Sequence, residues 1–222
     1  MDAPKGLSRK RARAHDAEVA RARRDVSAVA VVYAGTIAAV FVLLATDTET
    51  LGASLLLENG LFLLVGALGV WRLGALRGTL AAAPQGPDLP LAVPAAALML
   101  VFGFAYVLAL ALLSGETAEL SFGVPPLGLL LEVAVAPALV EEWLCRGVLW
   151  NACERLTTTR RTIAATALLF ALMHVPAWGL LALPSHAFAG IVLGVLRART
   201  RSLAPCALAH FLNNAAAAML VG

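Results

Sequence analysis

The sequence predicts an all-α fold, a polytopic transmembrane bundle of about seven helices, with eight as the alternative. Three observations carry that prediction. Hydrophobic residues make up 60% of the chain and charged residues only 14%, against about a quarter charged in ordinary soluble domains, and mean hydropathy is +0.84. Apolar runs of about twenty residues, enough to cross about 30 Å of hydrocarbon, recur along the whole chain. Lysine and arginine collect in alternate connecting segments, as a chain weaving through a bilayer requires.

The runs are read at residues 26–46, 51–71, 89–113, 127–150, 162–183, 184–196 and 203–222. The sixth is short and reads as a tilted or partial span. Three regions follow: a basic cytoplasmic tail at 1–25, N-terminal transmembrane helices at 26–113, and a helical core at 114–222 that holds the chemistry.

The tail carries Lys5, Arg9, Lys10, Arg11, Arg13, Arg21, Arg23 and Arg24, which supply most of a net charge of +3. No aromatic residue interrupts it to stack on bases. It therefore reads as a topology determinant resting against anionic lipid headgroups, and a nucleic-acid partner is not expected. Its length and the full-length apolar run behind it read as a retained anchor, since no small-residue cleavage site follows.

Placing the N-terminus in the cytoplasm puts Arg72, Arg77, Arg155, Arg160, Arg161, Arg197, Arg199 and Arg201 inside. The outer loops then hold Asp47, Glu49, Glu116 and Glu119 and neither Lys nor Arg. The expectation is an integral protein of the cell membrane with its site open toward the cytoplasm.

Three polar clusters interrupt the last apolar runs: Glu141-Glu142 with Arg146, Phe170 with His174, and His210 with Asn214. An ionisable group at the centre of a span costs roughly 2.5–3.5 kcal/mol on the insertion scale, so three of them are most cheaply accommodated by solvating one another. Each cluster has a four-residue spacing, which puts its members on one helix face. In Glu142 and Arg146 the acid comes first, the favourable order for a helical ion pair. At 1.5 Å per residue, Glu141, His174, His210 and Asn214 fall roughly 10–18 Å from the inner ends of their spans, at similar depth.

The ordered motifs EExxxR, FxxxH and HxxxN resemble those of the CPBP intramembrane proteases, the family of CAAX prenyl endopeptidases and bacteriocin-processing proteins also called Abi. The resemblance runs from about Leu127 to Gly222 and includes Gly190-Ile191-Val192-Leu193-Gly194, the stretch from Arg199 to Cys206, and Asn213-Asn214. It implies an intramembrane endopeptidase. Glu141 is then the general base, with His174 helping it hold and polarise a water, and His210 and Asn214 donate hydrogen bonds to the tetrahedral oxyanion. Glu142 and Arg146 form a supporting pair that orients the helix. Implied partners are membrane lipid and a peptide or lipidated protein substrate, either CAAX-like or a membrane-associated precursor.

No cofactor is expected on the glutamate mechanism to which the better-understood relatives point. The alternative is zinc on Glu141, His174 and His210 with an open position for water, although the H-E-x-x-H zincin pattern is absent. Two non-proteolytic readings are a membrane immunity or scaffold protein and a proton-coupled transporter. The transporter is disfavoured because the hydropathy halves show no internal repeat.

Other polar groups have plainer readings. Cys145, Cys153 and Cys206 form no C-x-x-C pair and read as small buried residues; a Cys206–His210 dyad is geometrically open but leaves Glu141, His174 and Asn214 unexplained. Glu58, Asn59 and Glu132 read as groups satisfied between helices, with a water path or substrate groove as the alternative, His186 reads as interfacial, and His15 as solvated. Gly190 and Gly194 read as a close helix contact within one chain.

Overall fold

The computed structural model describes residues 9–46, 59–68, 71, 88–115 and 123–221. Among these residues the chain is all-helical, with no strand. Helix α1 is Arg9–Thr46, α2 is Asn59–Leu68 and α3 is Ala92–Ser114, entered through the 3-10 turn Leu89–Leu91. Helix α4 runs over residues 127–154, α5 is Thr159–Met173, α6 is Val175–Trp178, α7 is Leu183–Thr200 and α8 is Ala204–Val221. The expected acidic groups of the outer loops (Asp47, Glu49, Glu116 and Glu119), together with Lys5, Glu58, Arg72 and Arg77, lie outside the described residues.

Two stretches, Leu89–Ser114 and Leu180–Thr200, are long and apolar enough to cross a membrane by length and composition. The first matches the expected run at 89–113. It stops at Gly115, whose φ of 75° and N–H bond to the Ala111 carbonyl form a left-handed cap, a conformation glycine adopts without a Cβ penalty. The second corrects the reading of 184–196 as a short span, because its helical structure begins earlier and continues to Thr200.

The run at 162–183 is not one helix. Helix α5 ends at Met173, and His174 sits at its C-terminus with φ −87° and ψ −12°. Pro176 opens the next short helix, and Gly179 takes φ 73°, where a side chain would be strained. Proline cannot continue the α5 hydrogen-bond ladder, so an apolar composition that looked continuous breaks beside a site residue.

Helix α4 departs from ideal geometry in another way. Residues Leu131–Val135 and Trp143–Leu149 are π-helical, and Glu141-Glu142 lie at the end of the α-helical segment between them. Such wide turns cost hydrogen-bond geometry and collect at functional sites.

Two cores join these helices. Tyr33 of α1 and Phe62 and Val65 of α2 pack with Leu144, Val148, Phe170 and Met173. Ala92, Ala96 and Met99 of α3 pack with Leu193 and Leu196 of α7 and Cys206 and Ala209 of α8. The N-terminal helices thus share buried apolar surface with the C-terminal ones. Helix α1 also continues unbroken from Arg9 through the tail boundary read at residue 25.

Small residues decide how closely α5 and α7 approach. A Cβ placed on Gly190 meets the Ala167 Cα at 2.8 Å, and one on Gly194 meets Ile163 Cγ2 at 3.1 Å. The G-x-x-x-G spacing therefore packs α7 against α5 within the chain.

Candidate active site

Glu141 and Glu142 leave neighbouring positions of α4 and enter different surroundings. Glu142 is buried and pairs with buried Arg146, Oε1 to Nη1 at 3.0 Å. Arg146 also donates Nη2–H to the Gly190 carbonyl at 2.9 Å and lays its guanidinium 4.5 Å from the Phe170 ring centroid. The expected ion pair is present, and it reaches two further helices. Its cation meets a carboxylate, a carbonyl and a π face, which offset part of its desolvation, while Nε is buried with no hydrogen-bond partner among the described residues.

His210 of α8 completes this layer. Its Nδ1 lies 3.0 Å from the same Glu142 oxygen that receives Arg146. A carboxylate held by an arginine is an acceptor, so Nδ1 carries the hydrogen and donates it. His174 is oriented by the same logic: its Nδ1 is 2.7 Å from the Phe170 carbonyl, which only accepts. In the neutral ring of either histidine, Nε2 is then the atom with the lone pair.

Both Nε2 atoms face Glu141. Its Oε2 is 3.5 Å from His174 Nε2 and 4.0 Å from His210 Nε2. Side chains from α4, the end of α5 and α8 therefore converge at one point. With neutral rings, two lone pairs and a carboxylate oxygen meet there, a set of acceptors that favours a proton donor among them. A water hydrogen-bonded to Oε2 at about 2.8 Å would lie within reach of a ring nitrogen.

Asn214 is placed one turn beyond His210 and turns toward α4. Its Nδ2 donates to the Val133 carbonyl at 3.2 Å, and its Oδ1 accepts from Asn213 Nδ2 at 3.2 Å. Val133 belongs to the first π-helical stretch. Asn214 thus tethers α8 to the irregular part of α4 and keeps one N–H outside that bond.

Several residues take places that the sequence did not indicate. His186, read as interfacial, stacks on His174 with ring centroids 3.9 Å apart. Phe170, known only as the first letter of its motif, is buried and contacts His174, His186, His210 and Arg146. Tyr33 donates its hydroxyl to the Leu169 carbonyl at 2.6 Å, bracing the turn that carries Phe170.

Arg197, counted as a cytoplasmic charge, is buried and donates Nε–H to the Arg146 carbonyl at 3.0 Å. Apart from Phe170 with His174, four residues apart, these contacts join positions distant in the chain and have no local sequence signal. The four-residue repeat of His186 with Gly190 and Gly194 was the available hint: it puts His186 on the α7 face that meets α5.

The Cys206–His210 dyad is not supported. Cys206 is buried with Sγ 3.6 Å from the Leu193 and Ser202 carbonyls, where a thiol is satisfied by backbone. Cys145 lies against Met173 at 4.0 Å, the behaviour of a buried apolar residue. Asn59 is buried at the start of α2, while Glu132 Oε1 is buried with no hydrogen-bond partner among the described residues.

Among the described residues, no group of three or more His, Cys, Asp or Glu side chains is arranged to hold a metal ion. Tetrahedral zinc with oxygen and nitrogen ligands at about 2.0–2.2 Å needs donor atoms about 3.3–3.6 Å apart. The Glu141–His174 separation of 3.5 Å fits, and the Glu141–His210 separation of 4.0 Å is too wide.

With this geometry established, comparison with known proteins adds one result. Residues 123–216 match the family model described as type II CAAX prenyl endopeptidase Rce1-like. The match agrees with the CPBP resemblance read from the motifs, covers all three of them, and points to a protease of the CAAX endopeptidase type. No curated protein matches the chain. No solved structure matches it.

Proposed function

We propose, from the Rce1-like segment at residues 123–216, that this protein is an intramembrane endopeptidase that hydrolyses a peptide bond of a membrane-associated substrate. The substrate is a CAAX-like lipidated protein or a peptide precursor. The observation that carries the reading is the meeting of Glu141 Oε2 with His174 Nε2 and His210 Nε2 at 3.5 and 4.0 Å.

Glu141 takes a proton from water as the water oxygen bonds to the scissile carbonyl carbon. His174, through Nε2, helps hold that water. The resulting oxyanion is met by His210 and by the Asn214 N–H that does not face Val133. Collapse breaks the C–N bond, and Glu141 returns its proton to the leaving nitrogen. For His210 to donate through Nε2 while Nδ1–H faces Glu142, the ring must hold both protons. Two carboxylates then face two cations, Glu142 between Arg146 and His210 Nδ1 at 3.0 Å from each and Glu141 4.0 Å from His210 Nε2, and the hydrogen bond to Glu142 orients the ring as the buried acid does for the histidine of a catalytic triad.

The membrane arrangement belongs to the same proposal: about seven spans, a cytoplasmic N-terminus and a site open to the cytoplasm. Residues 1–25, 26–113 and 114–222 act in it as basic tail, anchoring helices and catalytic core. The amide-cleaving steps use no metal.

The test is cleavage of quenched lipidated and unlipidated peptides by the purified protein in bilayer discs. Glu141→Gln keeps the shape and removes the proton acceptor, so turnover should fall about 100-fold or more with the thermal midpoint retained. Activity should survive a chelator. Loss with the chelator and recovery with one equivalent of zinc would make Glu141, His174 and His210 ligands and end the metal-free form. A folded protein that cleaves none of the peptides would favour the scaffold reading.

A further inference from the structure

His174 sits at the junction of α5 and α6, its N–H bonded to the Ala171 carbonyl at 3.2 Å and its carbonyl to the Trp178 N–H at 2.9 Å, so its backbone is held and the orientation of its ring is left to side-chain contacts. Its ring donates Nδ1–H to the Phe170 carbonyl at 2.7 Å, which fixes one edge, while Nε2 stands 3.5 Å from Glu141 Oε2, longer than a strong hydrogen bond. A single edge contact leaves the plane free to swing about that bond, and Nε2 would swing with it. What holds the plane is contact on the faces. Phe170 lies 4.8 Å from the His174 centroid at 53°, and His186 lies 3.9 Å away at 30°.

His186 is itself pinned. Its Nδ1 is 2.8 Å from the Ala182 carbonyl, with Ser185 Oγ 3.4 Å from the same nitrogen. Its helix is held against α5 by the close approach of Gly190 to Ala167. A ring fixed at its own edge, on a helix fixed to its neighbour, is a rigid wall for the ring beside it.

We propose that His186 is a positioning residue of the site, a stacked wall that holds His174 with Nε2 directed at Glu141. The proposal rests on the protease reading for its effect on turnover, and on geometry alone for its effect on the His174 ring. His186 acts through His174 and does not touch the substrate. Loss of the wall therefore lowers kcat and leaves KM in place, because misplacing a catalytic group by about an ångström costs on the order of 100-fold in rate.

The experiment uses the full-length protein in bilayer discs, with His186→Ala, His186→Phe and a His174→Gln control. For His186→Ala, kcat should fall about 10- to 100-fold at unchanged KM, and His186→Phe, which restores a face without the pinning bond, should recover most of it. Histidine labelled with 15N supplies the second arm. The wild-type His174 signal, assigned by its loss in His174→Gln, should be a single Nδ1–H tautomer, and His186→Ala should broaden or split it.

Three outcomes overturn the proposal: wild-type kcat in His186→Ala, a change confined to KM, or an unaltered His174 signal. A phenylalanine variant as impaired as alanine, with its fold intact, also overturns it, since the polar edge and not the face would then matter. If the wild type cleaves no peptide, the protease reading fails by itself, while the 15N arm still decides the role of His186.

Discussion

One oxygen of Glu142 binds both His210 Nδ1 and Arg146 Nη1, each at 3.0 Å. Through it, α8 is tied to α4 in the layer beneath Glu141. The two adjacent glutamates thus differ in their surroundings: Glu142 is buried and pairs with Arg146 and His210 through Oε1, while Glu141 faces both Nε2 atoms.

Glu142→Gln should act through folding. It leaves the buried Arg146 cation without its countercharge, and breaking such a pair from one side costs about 3–5 kcal/mol. The expected result is a lower yield of folded protein and a lower thermal midpoint, with activity falling in parallel. A variant of wild-type stability that had lost only turnover would contradict this division between the two acids.

Asn214→Ala should have two effects of different size. The Val133 carbonyl loses its donor at 3.2 Å in a part-buried setting, a stability cost of about 1 kcal/mol, that of an ordinary hydrogen bond. Turnover should fall further, about 100- to 1000-fold, if the remaining N–H serves the oxyanion. Measuring thermal midpoint and kcat on one preparation separates the two, and a kcat within about threefold of wild type removes Asn214 from the oxyanion site.

Gly190→Ala tests the packing that supports both Arg146 and His186. Its Cβ would stand 2.8 Å from the Ala167 Cα, a backbone atom that cannot yield alone, so α7 must move off α5. Overpacking of this kind costs about 1–3 kcal/mol, and the shift also lengthens the Arg146 bond to the Gly190 carbonyl. A thermal midpoint at or above wild type would show that the two helices separate freely.

Topology can be read chemically in a cysteine-free background. A cysteine replacing Arg160 should label only from the cytoplasmic side, and one replacing Glu116 only from the opposite side, as the Lys and Arg bias requires. Labelling of the Arg160 position from outside would invert the orientation and with it the side to which the site opens.

The local half of this architecture was open to reading from the sequence alone. A four-residue spacing fixes that Glu142 and Arg146 share a face, because helical periodicity is a property of the chain itself. The cost of lone charges in apolar runs then says that Glu141, His174 and His210 need one another. Both inferences correspond to distances in the structure, 3.0 Å within α4 and 3.5 and 4.0 Å between helices. What periodicity could not supply was the rotation and separation of one helix relative to the next. The stack of His186 on His174, the Tyr33 bond to Leu169 and the burial of Arg197 against the Arg146 carbonyl depend on those quantities. So does the orientation of Asn214 toward Val133. Close packing at Gly190 and Gly194 sets the approach of α7 to α5, the part of this geometry that brings His186 to His174. Tertiary contact therefore decided which of several apolar-run histidines became part of the site, since only packing converts a shared depth into a shared point in space.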